Sequence, residues 1–184
     1  GMLTLGRSAR PFLEGLAAFG RRSPAALEAT RVAFIGARES ASEESARRLG
    51  LACCVRFEDN LPHREVVRRE RESHVLLLIK HDDERYRGLV PGKLYEYIGA
   101  RRPILAIASD GEAARLVAGL RRGEVAAIGD PEDVAAKLEL LHERWRAGAL
   151  ESRYALDEVP ELSRRAEAER LGALLASLVK GPCR

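Results

Sequence analysis

The 184-residue sequence lacks most of the features that would mark a secreted, membrane-spanning or nucleic-acid-binding protein. It has three cysteines, with no CxxC or Cys/His ligand spacing, so neither a structural zinc site nor a disulfide framework is expected. Cys53 and Cys54 are adjacent and would point to opposite faces of a strand. With Cys183 in the tail, they read as buried, reduced thiols of a reducing compartment. No apolar run approaches the roughly 18 residues of a membrane span, and the N-terminus has no signal-peptide pattern. The leading Gly-Met reads as a tag scar before a start methionine. A cytoplasmic protein is expected.

Net charge is +3, too small to argue for nucleic acid. Its placement says more. Five arginines against two glutamates in residues 1–31 hold the whole excess, which suits either an anionic small molecule or a solvated helix face at Arg21 and Arg22. Hydrophobic residues at 46% and charged residues at 32% give the balance of one soluble globular domain with a sizeable core.

Strand-length apolar runs alternate with helical patterns about every 25 residues, the signature of βα units. The strand runs are Leu3 to Leu5, then 31–37, 52–57, 74–79, 103–108 and 124–129. "VLLLI" is apolar at every position, as expected of a strand covered on both faces. In "GDPEDVAAKLELLHERW", Asp130 is the expected N-cap and Pro131 the first helical residue. Val134, Leu138, Leu141 and Trp145 form that helix's apolar stripe. A last helix is expected over 161–179, with Leu171, Leu174, Leu175 and Leu178 on one face. The expected fold is thus α/β, a Rossmann-like doubly wound parallel sheet flanked by helices in one domain (2–160), with a C-terminal helix and tail (161–184) packing on it or on a partner.

In open parallel sheets, ligands bind at the carboxyl ends of strands, where loops meet helix N-termini. After "HVLLLI" comes "KHDDERYRGLV", longer than the usual βα loop of about 2 to 6 residues. Pro91 suits a first helical turn, Gly92 permits close approach of a ligand, and Lys93 adds a cation beside free N–H groups that favour an anion. Glu96 follows Lys93 by three residues and shares its face. A carboxylate there repels phosphate and accepts hydrogen bonds from hydroxyls, as acidic residues do from ribose. Phosphate at the helix start with a diol one turn on describes a nucleotide. Spacing alone serves an ordinary capped helix with a Lys93–Glu96 pair equally well.

The order "LGR…RPFLEGLAAF", "VRFEDNLPHREVV", "HVLLLI", "VPGKLYEYIGARRPILAIASDGEAARLV" and "AERLGALLASL" resembles the C-terminal half of bacterial glycosyltransferases of the GT-B fold. The retaining class that builds capsules and other surface polysaccharides is most similar. The resemblance covers nearly the whole chain, and "PGKLYEYIGARRPILA" is its most specific piece. It implies a nucleotide-sugar donor, with Glu96 holding the ribose and Gly6 and Arg7 contacting the diphosphate. Arg10 is an approximate match to a further basic residue. Gly88 stands where many members have a second glutamate that contacts the sugar. The expected binding set is Gly6, Arg7, Arg10, Pro91, Gly92, Lys93 and Glu96, with no metal, no cofactor and no assignable general base.

The first expected strand begins near residue 3, so the family's N-terminal acceptor-binding domain has no counterpart in these residues. Expected partners are a nucleotide sugar and a separate acceptor-binding domain, or self-association through the last helix. A longer enzyme would be peripheral to the membrane. A non-catalytic nucleotide-binding or protein-interaction module is the alternative, and a fold remnant without ligand is a third. "HDD" at His81 to Asp83 fits a metal-held diphosphate less well than a polar loop. His63 reads as a surface residue at a helix start, and "RRERE" (68–72) as a solvated helix face.

Overall fold

The structure is a computed structural model that describes residues 8–36, 40–80 and 83–179. The expected strand at Leu3 to Leu5 lies outside the described residues, as does Cys183.

Helices α1 (Arg10–Arg22) and α2 (Pro24–Ala29) precede β1 (Val32–Ile35). The chain continues through α3 (Ser40–Arg48), β2 (Val55–Glu58), α4 (His63–Glu72), β3 (Leu76–Ile79) and α5 (Gly92–Ala100). It then forms β4 (Ile104–Ile107), α6 (Glu112–Gly119), β5 (Gly123–Ala126), α7 (Pro131–Arg146) and α8 (Arg164–Val179). All strand pairing among the described residues is parallel. The hydrogen bonds form two ladders, β1–β2 and β3–β4–β5. Val32 registers with Val55, Leu76 with Ile104, and Ile104 with Gly123.

Alternation along β4 shows why the fold is doubly wound. Leu105 and Ile107 point into a core with Phe12, Leu13 and Leu16 of α1 and Val134 and Leu141 of α7. Ile104 and Ala106 point the other way, against Leu94 and Ile98 of α5 and Ala113 and Val117 of α6. Each of the four β4 residues is at most 1% exposed. Helices on both faces therefore explain the unbroken apolar runs.

Helix boundaries follow local chemistry. Asp130 caps α7 by accepting from the amides of Glu132 at 3.0 Å and Asp133 at 3.1 Å, ahead of Pro131. Gly15 lets α1 press onto α7, since a Cβ there would lie 2.3 Å from Val134 Cγ1. The α7 stripe ends in Trp145, 41% exposed, whose ring meets His74 and His142 edge-on or tilted at 5.8 and 5.7 Å.

Two local expectations change. Pro91 is the N-cap of α5, with extended backbone, and Gly92 is the first helical residue. Residues 52–54 form a turn before β2, which leaves Cys54 buried and Cys53 exposed. The α8 leucines are 53% to 70% exposed. Among the described residues, no helix is long and apolar enough to cross a membrane.

A cavity of about 500 Å³ lies between the two ladders, lined by Val32 and Ala33 of β1, Leu76 and Leu77 of β3, and Glu70, Lys93 and Tyr97 from α4 and α5.

Candidate functional site

The carboxyl end of β3 delivers the chain into the segment that starts α5. Lys80, the residue after β3, is buried, and its ammonium donates to the backbone carbonyls of Tyr86 (3.2 Å) and Leu89. This contact folds the long loop back over the strand end. A short 3-10 turn (Glu84–Tyr86) follows, capped by Asp83, which accepts from the amide of Arg85 at 2.9 Å. Asp83 also pairs with the Arg85 guanidinium at 2.6 Å. Its place in the suggested metal motif is thus taken by a structural contact, while His81 and Asp82 lie outside the described residues. Among the described residues, no cluster of three potential metal ligands forms.

Arg87 ties this loop to the one after β4. Its guanidinium meets Asp110 at 2.5 Å, and its carbonyl accepts from the amide of Glu112 at 3.2 Å. Arg87 first, and then Arg115, holds the Asp110 carboxyl below the usual carboxylate range. These loops enclose a cleft of about 120 Å³ lined by Lys80, Arg87, Ser109 and Gly111.

At the start of α5 no side chain caps the helix. Its first amides and the positive end of its dipole favour an anion there. A Cβ at Gly92 would meet nothing within 4 Å, so the first helical residue borders open space.

Lys93 stands differently from its expected place beside a phosphate. Its ammonium is 2.7 Å from Glu96 Oε2 and 3.2 Å from Glu70 Oε1. The i,i+3 pair that spacing allowed is formed, and a second carboxylate, from α4, joins it. Burial pushes the Lys93 pKa down, but the contacts with Glu96 and Glu70 outweigh burial and hold it above the ordinary lysine value. Tyr97, half-buried beside them, has its phenol pushed up to about 12, chiefly by burial. Glu96 keeps about a third of its side chain exposed (36%), while its Oε2 atom is enclosed against Lys93.

Pro91, Gly92, Lys93 and Glu96 therefore share the first turns of one helix. Arg10 does not join them, since it pairs with Glu14 of its own helix at 2.7 Å. Gly6 and Arg7 lie outside the described residues. The other N-terminal arginines are also engaged. Arg22 reaches Glu132 and, at 3.2 Å, Glu139; Arg31 donates to the carbonyls of Glu28 (2.6 Å) and Thr30 (2.7 Å). Arg10 and Arg22 are thus paired with carboxylates, while these two Arg31 bonds are to backbone carbonyls.

Two residues of this region escaped sequence reasoning. Glu70 lies within the run read as a solvated face, yet it is 8% exposed. The available signal was its place four residues after Val66, on the helix's apolar stripe. Lys80 was legible only as a lysine ending an otherwise apolar strand.

No protein-family model matches the sequence, and no curated protein is significantly similar to it. Solved structures share its fold. The Anabaena HepE structure in complex with UDP superposes with a TM-score of 0.67 at 14% identity, over 96% of this chain and 47% of HepE. WaaG, a glycosyltransferase involved in lipopolysaccharide biosynthesis, gives a TM-score of 0.54 at 24% identity, over 75% of this chain and 39% of WaaG. At these identities the likeness is one of fold, a Rossmann-like α/β domain, and this chain spans less than half the length of either protein.

Proposed function

We propose that this chain is the nucleotide-sugar-binding half of a GT-B glycosyltransferase, of the retaining surface-polysaccharide type. It would act with an N-terminal acceptor domain to move a glycosyl group from a nucleotide diphosphate sugar to an acceptor hydroxyl. One observation carries this reading. A partly exposed carboxylate, Glu96, stands one turn into a helix that no side chain caps and whose first residue borders open space, at the carboxyl end of a parallel sheet. The UDP bound to HepE and the glycosyltransferase WaaG support the same reading.

In this reading the diphosphate lies on the first amides of α5 over Gly92. The positive helix end stabilises charge developing on the leaving group, with Arg7 and Gly6 as further contacts. Glu96 accepts hydrogen bonds from the ribose diol and so positions the reacting bond. Lys93 acts through Glu96 in place of the direct phosphate contact suggested by its position. The nucleotide sugar is a substrate, and no cofactor enters. Such an enzyme works in the cytoplasm, peripheral to the membrane in a longer form.

The α8 leucines supply a partner surface, for an acceptor domain or a second copy of the chain. Gly88 favours a second reading, a nucleotide-binding module without transfer. It is exposed, with open space where a Cβ would be, and offers a sugar no carboxylate. Sugar transfer restored by adding an acceptor-domain chain distinguishes the two.

Calorimetric titration with UDP, GDP and ADP tests the binding reading. Glu96→Ala removes charge-assisted hydrogen bonds worth about 1.5–3 kcal/mol each, so affinity should fall at least about tenfold. Unchanged affinity would end the donor-site assignment.

A further inference from the structure

Glu70 is a buried charged group that the proposed reaction leaves unused. It belongs to α4, whose sequence "HREVVRRERE" is polar enough to predict a fully wet helix. Arg68 and Glu72 behave that way, pairing on the surface with more than half of each side chain exposed. The Glu70 side chain is only 9% exposed and turns inward to Lys93. A carboxylate taken out of water is costly unless it is paired, so the contact with Lys93 is a condition of Glu70's placement.

The consequence reaches Glu96. An isolated Lys–Glu pair at i,i+3 on a helix is weak and leaves both side chains free to swing. Here Lys93 is held from two elements, by Glu70 of α4 at 3.2 Å and by Glu96 of α5 at 2.7 Å. Glu70 and Lys93 also line the mainly apolar cavity between the ladders, where poor solvation strengthens their attraction. The anchored ammonium draws Glu96 Oε2 inward until that atom is enclosed, so the exposed part of the carboxylate lies away from it. Two carboxylates around one ammonium leave one net negative charge, which welcomes hydroxyl donors and repels phosphate.

Resting on the reading of Glu96 as a ribose ligand, we propose that Glu70 is its positioning residue. It pins Lys93 so that one Glu96 oxygen is sequestered and the other is presented to a ribose diol. The pin also sets the register of the nucleotide, keeping the diphosphate at the helix start and the sugar ring one turn further on.

The test is calorimetric titration of the full chain with UDP, GDP and ADP and with their 2′,3′-dideoxy counterparts, which lack the hydroxyls in question. Glu70→Gln keeps the shape of the side chain and removes its charge. It should weaken the ribose-containing ligand by about three- to tenfold and leave the dideoxy ligand within about twofold. Lys93→Met breaks the same link and should show the same selective loss, which serves if Glu70→Gln fails to fold. In a Glu96→Ala background, Glu70→Gln should have no further effect. If wild type binds none of the three nucleotides, or Glu96→Ala binds as wild type, the ribose reading itself fails and this proposal falls with it. If Glu96→Ala is impaired while Glu70→Gln and Lys93→Met keep full affinity, the positioning role alone is overturned. Equal losses for ribose and dideoxy ligands overturn it too, because they mark a general structural defect.

Discussion

Gly111 lies so close to Arg87 that a Cβ on it would sit 2.7 Å from the Arg87 carbonyl oxygen. The contact joins the loop leaving β3 to the loop leaving β4, at the carboxyl edge where a nucleotide would bind. Gly111→Ala must push the Arg87 segment away, since the clash is with backbone and no rotamer relieves it. Overpacking of this kind costs about 1–3 kcal/mol. We expect a lower urea midpoint and, because the displaced loop leads into α5, weaker nucleotide binding by the folded fraction. Loss of stability with unchanged affinity would detach this loop from the site.

Lys93 and Glu96 should differ sharply in their effect on stability. Lys93→Ala leaves Glu70 buried without its counter-charge. Removing one partner of a buried pair costs about 3–5 kcal/mol, and partial exposure of Lys93 reduces this to about 1–3 kcal/mol. Glu96→Ala leaves the Glu70–Lys93 pair intact and should cost less than about 1 kcal/mol. Chemical denaturation of both variants decides between this arrangement and a simple surface pair, for which both effects would be small.

The pH dependence of the Lys93 contribution follows from the direction of its shift. A cation whose folded pKa is raised stabilises fully below its unfolded value and loses that effect as pH rises through the folded value. An unfolded lysine titrates near 10.4, so the wild-type advantage over Lys93→Met should be flat from about pH 6 to 9 and decline only above about 10. A decline between pH 6 and 9 would contradict the raised value.

The α8 leucines should be silent in the isolated monomer. Leu171, Leu174, Leu175 and Leu178 are more than half exposed, so Leu174→Glu with Leu178→Glu should leave the melting temperature within a few degrees. The same pair should abolish any concentration-dependent association seen by sedimentation. A large drop in melting temperature would mean that the helix packs on its own domain.

The neighbouring thiols should react unequally. Cys53 is exposed, whereas Cys54 is buried and its thiol is pushed up to about 11, first by burial and then by Cys53. Brief treatment of the native protein with iodoacetamide near pH 8 should alkylate Cys53 and spare Cys54, as read by peptide mapping. Equal labelling would place the turn at 52–54 differently.

The alternation of strands and helices, the burial of β3 on both faces, the cap of α7 and the helix carrying Lys93 and Glu96 were all legible in the sequence. These are local or periodic properties: an Asp-Pro start, a run of aliphatic residues, a spacing of three. What depends on distant residues came only with the packing. Glu70 and Lys93 are 23 positions apart, and only the step of four from Val66 sets Glu70 apart from Glu72 in "RRERE", with nothing to name its partner. The same holds for Lys93, whose spacing suits a phosphate contact or a carboxylate pair until α4 supplies the second carboxylate. The fate of the α8 leucines was equally illegible. An apolar stripe announces that a helix needs cover, but whether its own domain reaches far enough to provide it is settled by packing between distant elements.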